Sequence, residues 1–213
     1  VVTGGLTGGA TATGQSTING TLTNPTNIPQ TATYTVTPTS GSCTGPTFTV
    51  VATINPRPVV PNQTATICSG SSFTISPTNS PSATIIPSNT TYTWTVVTNA
   101  NVTGESTEAV GQSSISQTLT NTSNTVQTVV YTVTPRSGAA GNCVGSTFTV
   151  TVTVNPRPTI DAISNQAVCA GSTVSGVTIT GSVASTVYTW SNNTTTSRSK
   201  RSYFVCSFLA CWY

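Results

Sequence analysis

The sequence predicts an all-β fold of tandem two-sheet sandwiches, and three observations predict it. Motifs recur along the chain in one fixed order, apolar residues alternate with threonine at a period of two, and no segment shows helical periodicity.

The repeat comes first. Residues 21–24 (TLTN) return as 118–121, and 34–38 (YTVTP) as 131–135. After a three-residue insertion, 47–50 (TFTV) return as 147–150 and 55–58 (NPRP) as 155–158. Cys68-Ser-Gly-Ser matches Cys169-Ala-Gly-Ser, and Tyr92-Thr-Trp94 matches Tyr188-Thr-Trp190. The period is about 100 residues, the usual size of an immunoglobulin-like sandwich. Proline fixes φ, lacks an amide donor and biases its predecessor toward extended backbone. Each NPRP therefore ends a strand and makes a stiff joint. Cutting there gives a complete unit over 56–155, the C-terminal half of a unit over 1–55 and the N-terminal half of another over 156–197. Residues 198–213 form a divergent tail.

Within the complete unit, period-two alternation predicts strands over 72–76, 91–97, 115–119, 129–134 and 147–154, separated by Gly, Ser, Asn and Pro clusters. In the last, Phe148, Val150, Val152 and Val154 point one way and Thr147, Thr149, Thr151 and Thr153 the other, the pattern of a half-buried antiparallel strand. Short strands at this spacing without helices make a two-sheet sandwich.

Composition agrees. Only 4% of residues are charged, 35% are hydrophobic and the net charge is +3. The polarity is hydroxyl and amide, which suits the solvent face of a sheet, because β-branched threonine favours the pleated backbone. Six basic residues, half of them in the tail (Arg198, Lys200, Arg201), leave no electrostatic footprint for nucleic acid. No apolar run approaches the ~20 residues of a membrane-spanning helix. With no methionine, the chain is expected to be a processed product or a fragment whose export signal lies outside it.

Catalysis needs positioned acids, bases, nucleophiles or metals. There is no histidine, and the only carboxylate side chains are Glu105, Glu108 and Asp161. Glu105 and Glu108 (GESTE) read as a solvated loop pair rather than a working acid–base pair, because no basic or metal-binding partner accompanies them. No acidic cluster suggests calcium, and no cofactor or metal is implied. Trp94 and Trp190 occupy one place in their repeats, with a tyrosine two positions earlier. They read as core tryptophans between sheets, the alternative being a sugar-stacking platform. Tyr34 and Tyr131 read as core or corner tyrosines. The Thr-x-Thr ladders read as a solvent face; a surface for ice or crystalline polysaccharide would need a flatness that sheet twist removes.

At YTW, YTVTP, TFTVTV and NP-x-P the unit resembles the PKD-like repeats found in tandem in large bacterial surface and secreted proteins of adhesin type. The resemblance covers residues 1 to about 197. It departs from PKD domains after the strand tryptophan: an acidic, Gly-rich turn is replaced by TVVTN after Trp94 and SNNTT after Trp190. The resemblance implies a spacer or adhesive module at the cell surface, and no catalysis.

Four cysteines are candidates for disulfides, Cys43, Cys68, Cys143 and Cys169, with their pairing open. Cys68–Cys143 is the simple choice, but in an immunoglobulin-like chain a turn after the first strand and a hairpin before the last lie at opposite poles, roughly 30 Å apart for a ten-residue strand. A disulfide needs Cα atoms within about 7 Å. The alternative pairs each turn cysteine with a hairpin cysteine of the neighbouring repeat. The tail, with Cys206 and Cys211, reads as a membrane-surface anchor, a protease site at RSKR or a change of reading frame.

The expected function is a non-enzymatic extracellular stalk, spacer or adhesive region of a bacterial surface or secreted protein. Its partners would be neighbouring repeats of the same chain, with surface polysaccharide or another surface protein beyond them. Two alternatives stand beside it: a carbohydrate-binding module of a secreted polysaccharide-degrading enzyme, and a filament subunit whose half units exchange strands head to tail.

Overall fold

The computed structural model describes residues 4–80, 83–138 and 141–192. In the first unit the strands are β1 (Gln30–Val36), β2 (Thr39–Ser40), β3 (Cys43–Thr44) and β4 (Phe48–Ile54). The complete unit carries β5 (Gln63–Cys68), β6 (Ser71–Ile75), β7 (Thr91–Val96) and β8 (Val102–Thr103). It continues with β9 (Glu108–Gln112), β10 (Ile115–Asn121), β11 (Gln127–Arg136) and β12 (Phe148–Asn155).

Alternation in β12 and β11 builds the sandwich. Val150, Val152 and Val154 are fully buried, as are Tyr131 and Val133, while the threonines between them face out. These strands pair antiparallel, and the sheet grows on both sides in the order β5-β12-β11-β7-β9. The β12–β5 pairing is parallel, so β12 is antiparallel only on its β11 side. The second sheet, β6-β10-β8, lays Phe73, Ile115 and Leu119 over the first. The Phe73 and Tyr131 rings meet across the core at 5.5 Å, and Tyr92 packs edge-on to Phe148 at 6.3 Å. Rings at these separations add attraction beyond the area they bury.

The turn between β5 and β6 joins the sheets. Ser69 is buried; its amide donates to the Asn155 carbonyl of one sheet, and its hydroxyl donates to the Asn121 carbonyl of the other. Gly70 takes φ +82°, a left-handed conformation that costs glycine nothing, and its amide donates to the Leu119 carbonyl. The same backbone recurs at Gly171, but Ala170 stands where Ser69 would be, so the third unit lacks the bridging hydroxyl.

A second staple repeats in full. The Asn121 side chain donates to the carbonyls of Thr125 and Val154 and accepts from the Ser123 amide and hydroxyl. In the first unit Asn24 donates to Ile28 and Ile54 and accepts from the Thr26 amide and hydroxyl. Both asparagines are buried. Asn121→Ala would strand buried partners and is expected to destabilise the complete unit by about 2–3 kcal/mol, read from denaturant melts. A loss under about 0.5 kcal/mol, typical of surface positions, would refute the staple.

The repeat also reaches further back than the sequence motifs. Thr7 bridges Thr23 as Thr103 bridges Thr120. A Cβ on Gly8 would collide with the Thr21 carbonyl, as one on Gly104 would with that of Thr118.

The half units fare differently, and the pairing pattern explains why. β11 and β12 bond to each other, so the late half of a unit keeps a hairpin when alone, and β1–β4 is that hairpin. In contrast, β5, β6 and β7 bond to β12, β10 and β11, never among themselves. The early half over 156–192 correspondingly forms no named strand among its described residues, only an isolated bridge between Ile160 and Gly181.

Candidate functional surface

The carboxylates do not converge. Glu105 Oε1 accepts the Asn99 amide at 2.6 Å, and its Oε2 is buried without a hydrogen-bond partner. This corrects the solvated reading of Glu105. The loop closes over it because Ser106 is held by Gln117: the Ser106 amide donates to Gln117 Oε1, and Gln117 Nε2 donates to the Ser106 carbonyl and hydroxyl. The same Gln117 oxygen accepts from the Tyr131 hydroxyl at 2.8 Å, and Trp94 Nε1 donates to the Ser106 carbonyl. Glu108 lies in β9 opposite Trp94, where its Oε1 accepts the Val110 amide. Asp161, in the third unit, accepts from the Thr180 hydroxyl. Burial, reinforced by the Glu105 charge, pushes the Tyr131 phenol well above its usual value, and burial lifts Tyr92 to about 12. Among the described residues no group of three or more His, Cys, Asp or Glu side chains is placed to hold a metal.

All five aromatic residues of the complete unit, Phe73, Tyr92, Trp94, Tyr131 and Phe148, are buried. Trp190 is 80% exposed where Trp94 is 4% exposed. The described residues of its half unit supply no sheet for Trp190 to lie against. Tyr34 is half-buried, against full burial of Tyr131.

The outer face of the five-stranded sheet carries the threonines in rows. Thr66–Thr153–Thr128 and Thr149–Thr132–Thr95 run across three strands each, with Thr64–Thr151 and Thr134–Thr93 beside them. A groove of about 340 Å³ lies on this face, lined by Thr91, Thr93, Ala109, Gly111, Thr134 and Arg136. Twist of roughly 20–25° per strand turns the sheet through about 80–100° over its four steps, too much for a rigid planar lattice. The face offers hydroxyls and one guanidinium to a flexible ligand.

Cys43, Cys143 and Cys169 are free thiols, so Cys68 is joined to none of them. Cys68 aligns with Asn155 at one end of β12, and Cys143 lies in the hairpin before the other end. Eight residues at ~3.3 Å each put them some 25 Å apart, which rules out the Cys68–Cys143 bond. Arg198, Lys200, Arg201, Cys206 and Cys211 lie outside the described residues. No helix among the described residues is long and apolar enough to cross a membrane.

Sequence reasoning overlooked the asparagine staples and the Glu105–Gln117–Tyr131 cluster. The available signal for the staples was the asparagine closing both TLTN motifs, followed two residues later by a hydroxyl residue. Nothing comparable marks Gln117.

A family model described as a PKD-like domain matches residues 2–58 and again 65–158. A comparison with curated proteins finds no match. Modules of this kind are non-catalytic and are generally found as structural or adhesive parts of surface or secreted proteins. With two successive matches covering most of its length, the chain belongs to the PKD-like domain family.

Proposed function

We propose that this chain is a non-catalytic stalk or spacer region of a bacterial cell-surface or secreted protein, carrying adhesive modules outward. One observation supports this most: the complete unit commits every aromatic side chain to its core, leaving a sheet of threonine hydroxyls to solvent. Stability in such an array accumulates unit by unit and with each joint.

The joints fit an exposed extracellular life. Arg57 and Arg157 each precede a proline, a bond that trypsin-like proteases cut poorly. Arg57 also donates to the Val144 carbonyl, and the remaining described arginine, Arg136, lies in β11. Trypsin is therefore expected to trim the basic stretch 198–201 and spare everything before it. Pro158→Ala should open a cut after Arg157, seen by mass spectrometry. Rapid cutting of the parent chain at either joint would count against a protease-resistant stalk.

The functional test is binding of the full chain to glycan arrays and whole polysaccharides, where the stalk reading expects none. Binding abolished by Thr93→Ala or Arg136→Ala would turn the reading to a carbohydrate-binding accessory module seated in the β7–β9–β11 groove.

A further inference from the structure

The hairpin between β11 and β12 reaches beyond its own sandwich and folds over the joint in front of it. Pro56 and Pro58 of that joint are buried, and Arg57 between them is exposed. Arg57 Nε donates to the Val144 carbonyl of the hairpin. The Pro58 carbonyl passes so close to Gly145 that a Cβ on that glycine would strike it, and a Cβ on Gly141 would strike the Asn55 side chain. The hairpin is braced from behind. The Gly145 amide donates to the Pro135 carbonyl, the Ser137 amide to the Cys143 carbonyl, and the Cys143 amide to the hydroxyl of buried Ser137. A stiff hairpin thus meets a segment whose prolines already fix its backbone, so little chain entropy is lost in seating it.

We propose that this hairpin is a recognition site for the Asn-Pro-Arg-Pro joint, and that its grip sets the orientation of one repeat on the next. The first unit carries the same site again. Thr39 pairs with Thr44 and Ser40 with Cys43, as Arg136 bridges Val144 and Ser137 bonds to Cys143. The Gly45 amide donates to the Pro38 carbonyl at 2.9 Å, as Gly145 does to Pro135 at 2.8 Å. The Thr44 carbonyl therefore stands where Val144 receives the arginine, and Gly45 stands where Gly145 admits the proline carbonyl. A cavity of about 320 Å³ lies there, lined by Pro38, Thr39, Ser40, Cys43, Thr44 and Gly45.

The two sites differ at the tip. Gly41-Ser42 stands in place of residues 138–142, so the first hairpin has less reach toward the asparagine. The arginine and its flanking prolines are what both sites read. A guanidinium donating to a carbonyl makes a charge-assisted bond, which gives the arginine its weight in the selection. The site takes this chemistry from a joint in its own array or from a peptide in solution, whatever the array carries outward.

The test uses the full chain and nuclear magnetic resonance. Amide nitrogen relaxation should give β1 and β4 the same tumbling as β5 to β12. Arg57→Ala, a change on an exposed side chain, should let the first unit tumble separately while the complete unit keeps its melting transition. Gly145→Ala should do so from the other side of the contact. A peptide of residues 53–60, added in trans, should shift the amides of residues 39–45 and leave those of the second hairpin in place, because the chain's own joint already fills that seat. The peptide carrying Arg57→Ala should bind about tenfold more weakly, the loss of one charge-assisted hydrogen bond. Separate tumbling in the parent chain, common tumbling that survives both substitutions, or a peptide that leaves residues 39–45 unmoved would each overturn the proposal. Binding indifferent to the arginine would overturn it too.

Discussion

Trp94→Ala is expected to remove about 3–5 kcal/mol from the complete unit, the usual penalty for truncating a buried tryptophan. That is a large share of the roughly 5–15 kcal/mol that holds a domain folded. At about 4–8 °C per kcal/mol for a domain of this size, the melting temperature should fall by some 15–30 °C. The loss is chiefly packing: Trp94 sits between β11 and β9 with its face on the core, and its Nε1 bond to Ser106 is backed by the Gln117 bond to the same carbonyl. Trp190→Ala, at the matching repeat position, should change the stability of the dilute chain by less than about 0.5 kcal/mol, because an exposed side chain has little packing to lose. Urea melts followed by far-ultraviolet circular dichroism separate the two. Equal losses at both positions would mean that the third unit buries its tryptophan after all.

The contrast between these tryptophans shows where sequence reading succeeds. β7, β10, β11 and β12 were legible because threonine and apolar residues alternate along them, and a half-buried sheet face imposes that period. β5 and β9 escaped notice. β5 offers only Ala65 and Ile67 as inward apolar residues, and β9 is a short edge strand whose Gly111 and paired Glu108 blur any pattern. Glu105 was misread because a carboxylate in a polar loop looks solvated until the loop is seen folded over Tyr131 and Gln117. Trp190 shows a different limit. Its motif encodes a core position, but burial belongs to the partner strands, and local sequence cannot say whether they are present. The repeat itself carried most of the fold, since it set the unit boundaries, the joints and the equivalence of the two halves.

The complete unit is also expected to lose stability steeply above pH 10. Burial lifts the Tyr92 phenol to about 12, and burial together with the Glu105 charge raises Tyr131 further. In the unfolded chain both titrate near their ordinary value of about 10. Between these values the native state holds protons that the unfolded state has released, so unfolding is favoured as pH rises. The full contribution is present below about pH 10 and is lost as pH climbs toward the folded values. Each tyrosine contributes a slope of up to about 1.4 kcal/mol per pH unit, so the pair together withdraws on the order of a few kcal/mol as pH climbs past about 11. That rivals the whole stability of a marginal domain, so cooperative alkaline unfolding should coincide with the rise in tyrosinate absorbance. Tyr92→Phe keeps the edge-on contact with Phe148 and should roughly halve the slope. Tyr131→Phe should do the same while giving up the bond to Gln117, a separate loss of about 1 kcal/mol visible at neutral pH. Glu105→Gln should lower the Tyr131 value only in part, because burial is its larger cause. A urea midpoint that stays level from pH 10 to 12 would show that both phenols reach solvent in the native state, and the core drawn around Tyr92 and Tyr131 would have to be redrawn.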